Sequence, residues 1–213
     1  MENIKLVCFD VDETLVDGTS WWMLTEALGC SLEKAFSIFN QAREGKISFR
    51  EGERLFTKMF QESGNATREF IKNFFESIDA KPEAKNLISY LKQKGYTIYL
   101  ISGGINIYVN SIARKLGVDG FYANSSLEFD KKGMLRGINY RENQKGVKAE
   151  QLQELIRKIG IDMNQVVCVG DSENDIEIFK ATKHGIAVHS SNKELKRISW
   201  RVANSLSEIK EIL

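Results

Sequence analysis

Residues 5–16 read KLVCFDVDETLV. Leu6, Val7, Cys8 and Phe9 form an unbroken apolar run, the pattern of a strand buried on both faces of a parallel sheet, and the run stops at Asp10. Ligands of open α/β sheets bind outside the carboxyl ends of strands, and this end carries two carboxylates, Asp10 and Asp12. Alternation along an extended segment lets both face one pocket. Two acids that close are costly unless a cation lies between them or one stays protonated. The spacing therefore points to a metal site, an acid/base pair, or both. The plainer reading is that Asp12, Glu13 and Thr14 only cap a helix.

Further strand patterns follow. Tyr96–Ile101 (YTIYLI) reads as a second buried strand after an amphipathic helix over Glu83–Gln93 that Gly95 ends. It runs into Ser102, Gly103 and Gly104, just ahead of a helix from about Asn106 to Leu116. A hydroxyl and two glycines there suit phosphate oxygens, since Ser102 can donate and glycine backbone allows close approach; a tight turn would have the same sequence. Gln165–Gly170 (QVVCVG) is a third buried strand, and it ends in Asp171, Ser172, Glu173, Asn174 and Asp175. Asp171 and Asp175 suit an oxygen ligand and a partner that orients a lysine or a metal-bound water. Gly185–Val188 and a weaker Trp200–Val202 follow. Strands alternating with helices predict an α/β fold, a doubly wound and mostly parallel sheet of the Rossmann-like kind.

Between the first two strands the texture changes. From Ser20 to Ile78 apolar residues recur at helical spacing, with breaks at Gly29–Ser31, Glu44–Ser48 and Ser63–Thr67, so four short helices are expected. They make a small all-helical cap inserted after the first strand, residues 18–78, on a core of 1–17 and 79–213. Its many aromatics, Trp21, Trp22, Phe49 and Phe56 among them, read chiefly as helix packing, with room for one or two to line a pocket. Ser126–Phe129, the turn Asp130–Gly133 and Met134–Ile138 read as a β-hairpin. Lys145 and Lys148 open a helix running to Lys158, and one of them could reach the sheet edge.

Composition narrows the function. The chain of 213 residues can bury a full core, and 30 basic against 29 acidic residues give a net charge of +1. That balance argues against nucleic acid or a membrane surface as the main partner. Cys8, Cys30 and Cys168 are odd in number and dissimilar in setting, which fits reduced core thiols. With no apolar leader and no spanning run, a cytoplasmic protein is expected. Nothing in the sequence reads on oligomeric state.

Taken together, DVDET at Asp10–Thr14, SGG at Ser102–Gly104, Lys148, and GDSEND at Gly170–Asp175 resemble the four ordered motifs of the haloacid dehalogenase superfamily. The match covers essentially the whole chain, and it is most similar to the phosphoserine phosphatase branch, which shares the helical cap and the hairpin. In that branch the lysine opens a helix of the form KxxxLxxL, which Lys148 matches and Lys145 does not. The resemblance implies a Mg²⁺-dependent phosphatase of small phosphorylated metabolites. Asp10 would be the nucleophile that forms an aspartyl phosphate. Mg²⁺ would be held by Asp10, the backbone carbonyl of Asp12, and Asp171. Asp12 would act as general acid and then base. Ser102, Gly103, Gly104 and Lys148 would bind the phosphoryl oxygens. Asp175 would orient Lys148 or the metal's water, with Asn174 and Phe49 near the substrate. Dehalogenation is disfavoured, because that branch lacks the second acid.

In phosphoserine phosphatases an acid shortly after the first motif binds the substrate amine and a cap arginine binds its carboxylate; ungapped alignment puts Thr19 and Phe56 at those positions. Either Arg54, Arg43 or Glu26 substitutes from nearby, or the leaving group is apolar or aromatic. A phosphomutase or phosphotransferase using the same Asp10, and a non-catalytic phosphometabolite-binding protein, stand as alternatives.

Overall fold

A computed structural model describes residues 3–141 and 144–213, the side chains of 144 and 145 aside. β1 (Leu6–Phe9) is fully buried and leads, past the DVDET turn, into four helices: α1 (Ser20–Ala27), α2 (Leu32–Arg43), α3 (Phe49–Glu62) and α4 (Arg68–Ser77). The breaks between them carry the expected caps. Ser31, Ser48 and Thr67 accept from the amides of Lys34, Glu51 and Phe70, satisfying N–H groups that the first turn leaves free. α5 (Pro82–Gln93) follows, with the sole proline at its first position, where no amide proton is needed.

The rest of the chain builds the sheet. β2 (Thr97–Ile105), α6 (Asn106–Leu116), β3 (Gly120–Phe129), β4 (Leu135–Tyr140), α7 (Gln144–Ile159), β5 (Val166–Gly170), α8 (Ile176–Thr182), β6 (Gly185–Val188), α9 (Lys193–Ile198), β7 (Arg201–Ala203) and α10 (Ile209–Ile212) come in that order. The seven strands lie β4-β3-β2-β1-β5-β6-β7, all parallel except the β3–β4 pair. Apolar side chains cover both faces. Val7, Phe9, Ile98 and Leu100 on one side join a cluster that continues through Leu24, Phe60 and Phe75; Leu6, Cys8, Leu152 and Phe179 anchor the other. Cys8 and Cys168 sit opposite each other on β1 and β5, buried and free, and burial pushes the Cys8 thiol well above its ordinary range. Among the described residues no helix is long and apolar enough to cross a membrane.

Two elements differ from expectation. β2 does not end before Ser102 but continues through Gly103 and Gly104 to Ile105, with a register shift against β3 at that stretch. The expected hairpin is there, but β3 begins at Gly120, and its first half pairs in parallel with β2. The sequence hides this half because Phe121–Asn124 has no clean apolar alternation, while Gly120 is needed where the Tyr99 ring lies against its backbone. The hairpin also clasps the helical segment. Leu135 N–H donates to Ala66 O at 2.8 Å, Arg68 N–H to Gly133 O at 2.7 Å, and Gln61 Nε2 to Leu135 O at 2.8 Å.

Candidate active site

The chain extends the sheet outward from β1 through β2 and β3, then returns to β5 on the other side of β1. Ligands of such sheets bind at this reversal. Asp10 leaves β1 and Asp171 leaves β5 side by side there, tied by the Asp10 N–H donating to Val169 O at 2.9 Å. The acids found in the sequence are thus neighbours because two strands are in register.

Beneath them lies a buried ion cluster. Lys148, on α7 and 1% exposed, places Nζ 3.0 Å from Asp10 Oδ2 and 2.6 Å from Asp175 Oδ1, and donates to Asn174 Oδ1 at 2.9 Å. Burial works against the Lys148 charge, but Asp10 and Asp175 outweigh it and hold its pKa above the usual lysine range. Asp175 Oδ2 accepts from the Asp171 and Ser172 amides at 3.1 and 3.2 Å. It therefore serves Lys148 and the loop rather than the cavity. Gly170 is glycine for this reason, since a Cβ would collide with the Asp175 carboxylate. The Lys145 side chain lies outside the described residues.

Above this layer the acids are poised differently. Asp171 Oδ1 accepts from Thr14 Oγ1 at 2.9 Å, and burial, then the charges of Asp10 and Asp175, push Asp171 up to about 7. Burial, followed by repulsion from Asp10, also raises Asp12 to about 7. Ser20 counters this by donating from N–H to Asp12 Oδ1 at 3.1 Å and from Oγ to Oδ2 at 3.2 Å. Ser102 is fully buried and accepts the Gly104 amide at 3.1 Å, which leaves its own proton available. Gly104 is wedged where a Cβ would lie 2.9 Å from Ser20 Oγ and 3.3 Å from Asp12 Oδ2, so its lack of a side chain serves packing behind Asp12. Carboxylate oxygens of Asp10, Asp171 and Asp175 lie within 4.8 Å of one another; with Asp175 spent on Lys148 and the loop amides, Asp10 and Asp171 remain as the oxygen donors that suit a small hard cation.

A cavity of about 290 Å³ opens over the cluster. Asp10, Asp12, Gly103, Asp171 and Asn174 line it, and Lys148 and Ser102 adjoin these residues without being lining residues themselves. Its far end is aromatic: Trp21, Trp22, Phe39, Phe49, Phe56 and Tyr140, with Glu53. Phe49 is stacked on Tyr140 with ring centroids 5.8 Å apart. Thr19 and Phe56, the two uncharged positions singled out in the sequence, both face the cavity. The suggested substitutes do not: Arg54 is spent on Glu51 at 2.7 Å, and neither Arg43 nor Glu26 lines the space. Sequence reasoning missed Thr14, Ser20, Glu53 and Tyr140. Thr14 was visible within DVDET; Glu53 carries no motif or periodic signal of a site, and Tyr140 reaches the cavity only because β4 packs on α3.

The raised carboxyls make a stability prediction. Asp12 and Asp171 bind protons more tightly folded than unfolded, so the metal-free protein loses stability as pH rises from about 4 to about 7 and no more above that. Each kcal/mol lost lowers the midpoint by roughly 2–4 °C in a chain of this size. Added Mg²⁺ should raise the thermal midpoint more at pH 8 than at pH 5.5; differential scanning fluorimetry with and without the ion checks this.

The family model of the haloacid dehalogenase-like hydrolases matches residues 4–182, and the chain belongs to that family. Within it the chain is similar to phosphoserine phosphatases. That of Methanocaldococcus jannaschii is 31% identical over 211 residues, covering 98% of this chain and 96% of the relative. That of Streptococcus thermophilus is 31% identical over 193 residues, covering 88% and 85%. Among solved structures, a phospho-aspartyl intermediate analogue of phosphoserine phosphatase superposes with a TM-score of 0.77 at 30% identity, over 99% of both chains. A substrate-bound phosphoserine phosphatase complex gives 0.78 at 27% identity, over 100% of this chain and 98% of the other.

Proposed function

We propose that this phosphoric monoester hydrolase of the haloacid dehalogenase kind acts on small phosphorylated metabolites through a phospho-aspartyl intermediate on Asp10, with residues 18–78 as its cap. The observation that carries the reading is one constellation: Asp10 at the sheet reversal, held 3.0 Å from the buried Lys148, with a second acid, Asp12, two residues on and gripped by Ser20. Asp10 attacks phosphorus in line, so that one hard displacement becomes two easier ones. Asp12, with its pKa near 7, can carry a proton to the departing alkoxide and then take one from the water that cleaves the acyl phosphate. Lys148, the Ser102 hydroxyl and the Gly103 amide hold phosphoryl oxygens as charge spreads over them.

Asp10, Asp171 and the Asp12 backbone carbonyl would hold Mg²⁺, which when bound offsets the repulsion between the carboxylates and a dianionic ester. Hydrolysis of p-nitrophenyl phosphate in Mg²⁺ and in EDTA tests the reading: turnover lost in EDTA and restored by Mg²⁺ supports it. No turnover by folded protein in Mg²⁺ overturns it.

Ser20 is a positioning residue in this scheme. Ser20→Ala removes the Oγ donor to Asp12 while keeping the amide, and should lower kcat about tenfold with KM little changed, the loss of roughly one hydrogen bond to a charged group. Steady-state kinetics separate the two constants.

A further inference from the structure

Resting on that phosphatase reading, we infer that the leaving-group end of the cavity is a receptor for a cation, and that the substrates are phosphate monoesters of small alcohols bearing a methylated ammonium. Three observations carry this. First, four rings adjoin in series along the lining: Phe56 against Trp21 at 5.5 Å, Trp21 edge-on to Tyr140 at 6.4 Å, and Tyr140 stacked with Phe49 at 5.8 Å. Such walls, with negative ring faces and an apolar body, are the chemistry that recognises quaternary ammonium.

Second, Glu53 stands among these rings. Its Oε1 accepts the Tyr140 amide at 2.5 Å, which fixes the carboxylate on the aromatic wall, and among the described residues no cation pairs with it. Third, among the described residues no lysine, arginine or histidine lines the cavity. A leaving group with a carboxylate would meet Glu53 without a counter-charge, and a neutral one would strip water from Glu53 with nothing in return. A cation satisfies the rings and the acid together. Alkylated nitrogen is favoured over a primary ammonium because ring faces offer no acceptors for three N–H groups.

The test compares kcat/KM for phosphocholine with that for neohexyl phosphate, its neutral isostere with carbon in place of nitrogen, and for phosphoserine, in the Mg²⁺-loaded protein. Phosphocholine should exceed both by about tenfold or more, and Glu53→Gln should collapse the preference over the isostere. Equal use of the isostere, or a preference for phosphoserine, overturns the inference while leaving p-nitrophenyl phosphate turnover, and with it the phosphatase reading, intact. Should no ester be hydrolysed, that reading fails, and tryptophan fluorescence titrated with choline still decides this one. Saturable quenching that Glu53→Gln weakens about tenfold and neohexyl alcohol does not reproduce supports it. Absence of saturable quenching overturns it.

Discussion

Asp10→Asn protein is expected to hydrolyse p-nitrophenyl phosphate at least about 10⁴-fold more slowly than the parent, because the variant loses the carboxylate at the sheet reversal that takes the phosphoryl group in the proposed path. Of the other carboxylates that line the cavity, Asp12 has its oxygens turned to Ser20 and Asp171 accepts from Thr14. The replacement is nearly isosteric and keeps an oxygen to accept the Val11 amide, a bond of 2.8 Å in the parent. Loss of fold therefore does not explain loss of rate. Lys148 keeps its pair with Asp175 in the variant, and the charge removed is one that pushes up both Asp12 and Asp171, so the variant should unfold no lower than the parent at pH 8 without metal. An inactive protein with an equal or higher thermal midpoint would mark Asp10 as a residue kept for chemistry at the expense of stability. Activity within about tenfold of the parent would remove Asp10 from the mechanism.

Lys148→Met should damage both stability and activity. The side chain is almost wholly buried and stands between Asp10 and Asp175, each about 3% exposed. Removing the cation leaves two buried carboxylates facing each other, and breaking a buried pair of this sort costs about 3–5 kcal/mol. The deficit should be larger at pH 8 than at pH 5, since Asp175, already raised to about 6 by burial, loses the Lys148 charge that lowers it and takes up a proton at the lower pH. Where the variant stays folded, kcat should fall by roughly 10²- to 10³-fold through loss of a cation for the phosphoryl oxygens. Urea unfolding at the two pH values, read beside single-turnover kinetics, separates the two effects. A variant of parental stability would mean that Asp10 and Asp175 do not depend on Lys148.

The strands were legible because buried parallel strands have continuous apolar runs: LVCF at Leu6–Phe9 and VVCVG at Val166–Gly170 announce themselves. The helices of 20–77 were legible from their spacing and from Ser31, Ser48 and Thr67, whose side chains serve amides within one turn. The acids at strand ends were legible as candidates because each directly follows a buried run, although helix capping would place acids there too. These are all properties of segments shorter than about twenty residues, where the causes lie within the segment.

What depended on distant parts of the chain meeting was not legible. Gly120–Asn124 forms a strand only because β2 offers it an edge, and Gly104 is glycine because Ser20 and Asp12 close on it from elsewhere. Glu53 and Tyr140, 87 residues apart, share a hydrogen bond that no periodicity encodes. The sequence by itself determined the α/β alternation, the helical segment and the acids and serine offered for chemistry, because local pattern and residue type settle those, while Lys148 was chosen over Lys145 only through the family resemblance. Only the tertiary structure decided which of Trp21, Trp22, Phe49 and Phe56 face a cavity, that Arg54, Arg43 and Glu26 do not, and that Glu53 does. Which face of a helix meets a pocket is settled by the packing of α3 against β4, a contact between segments whose separate patterns do not refer to each other.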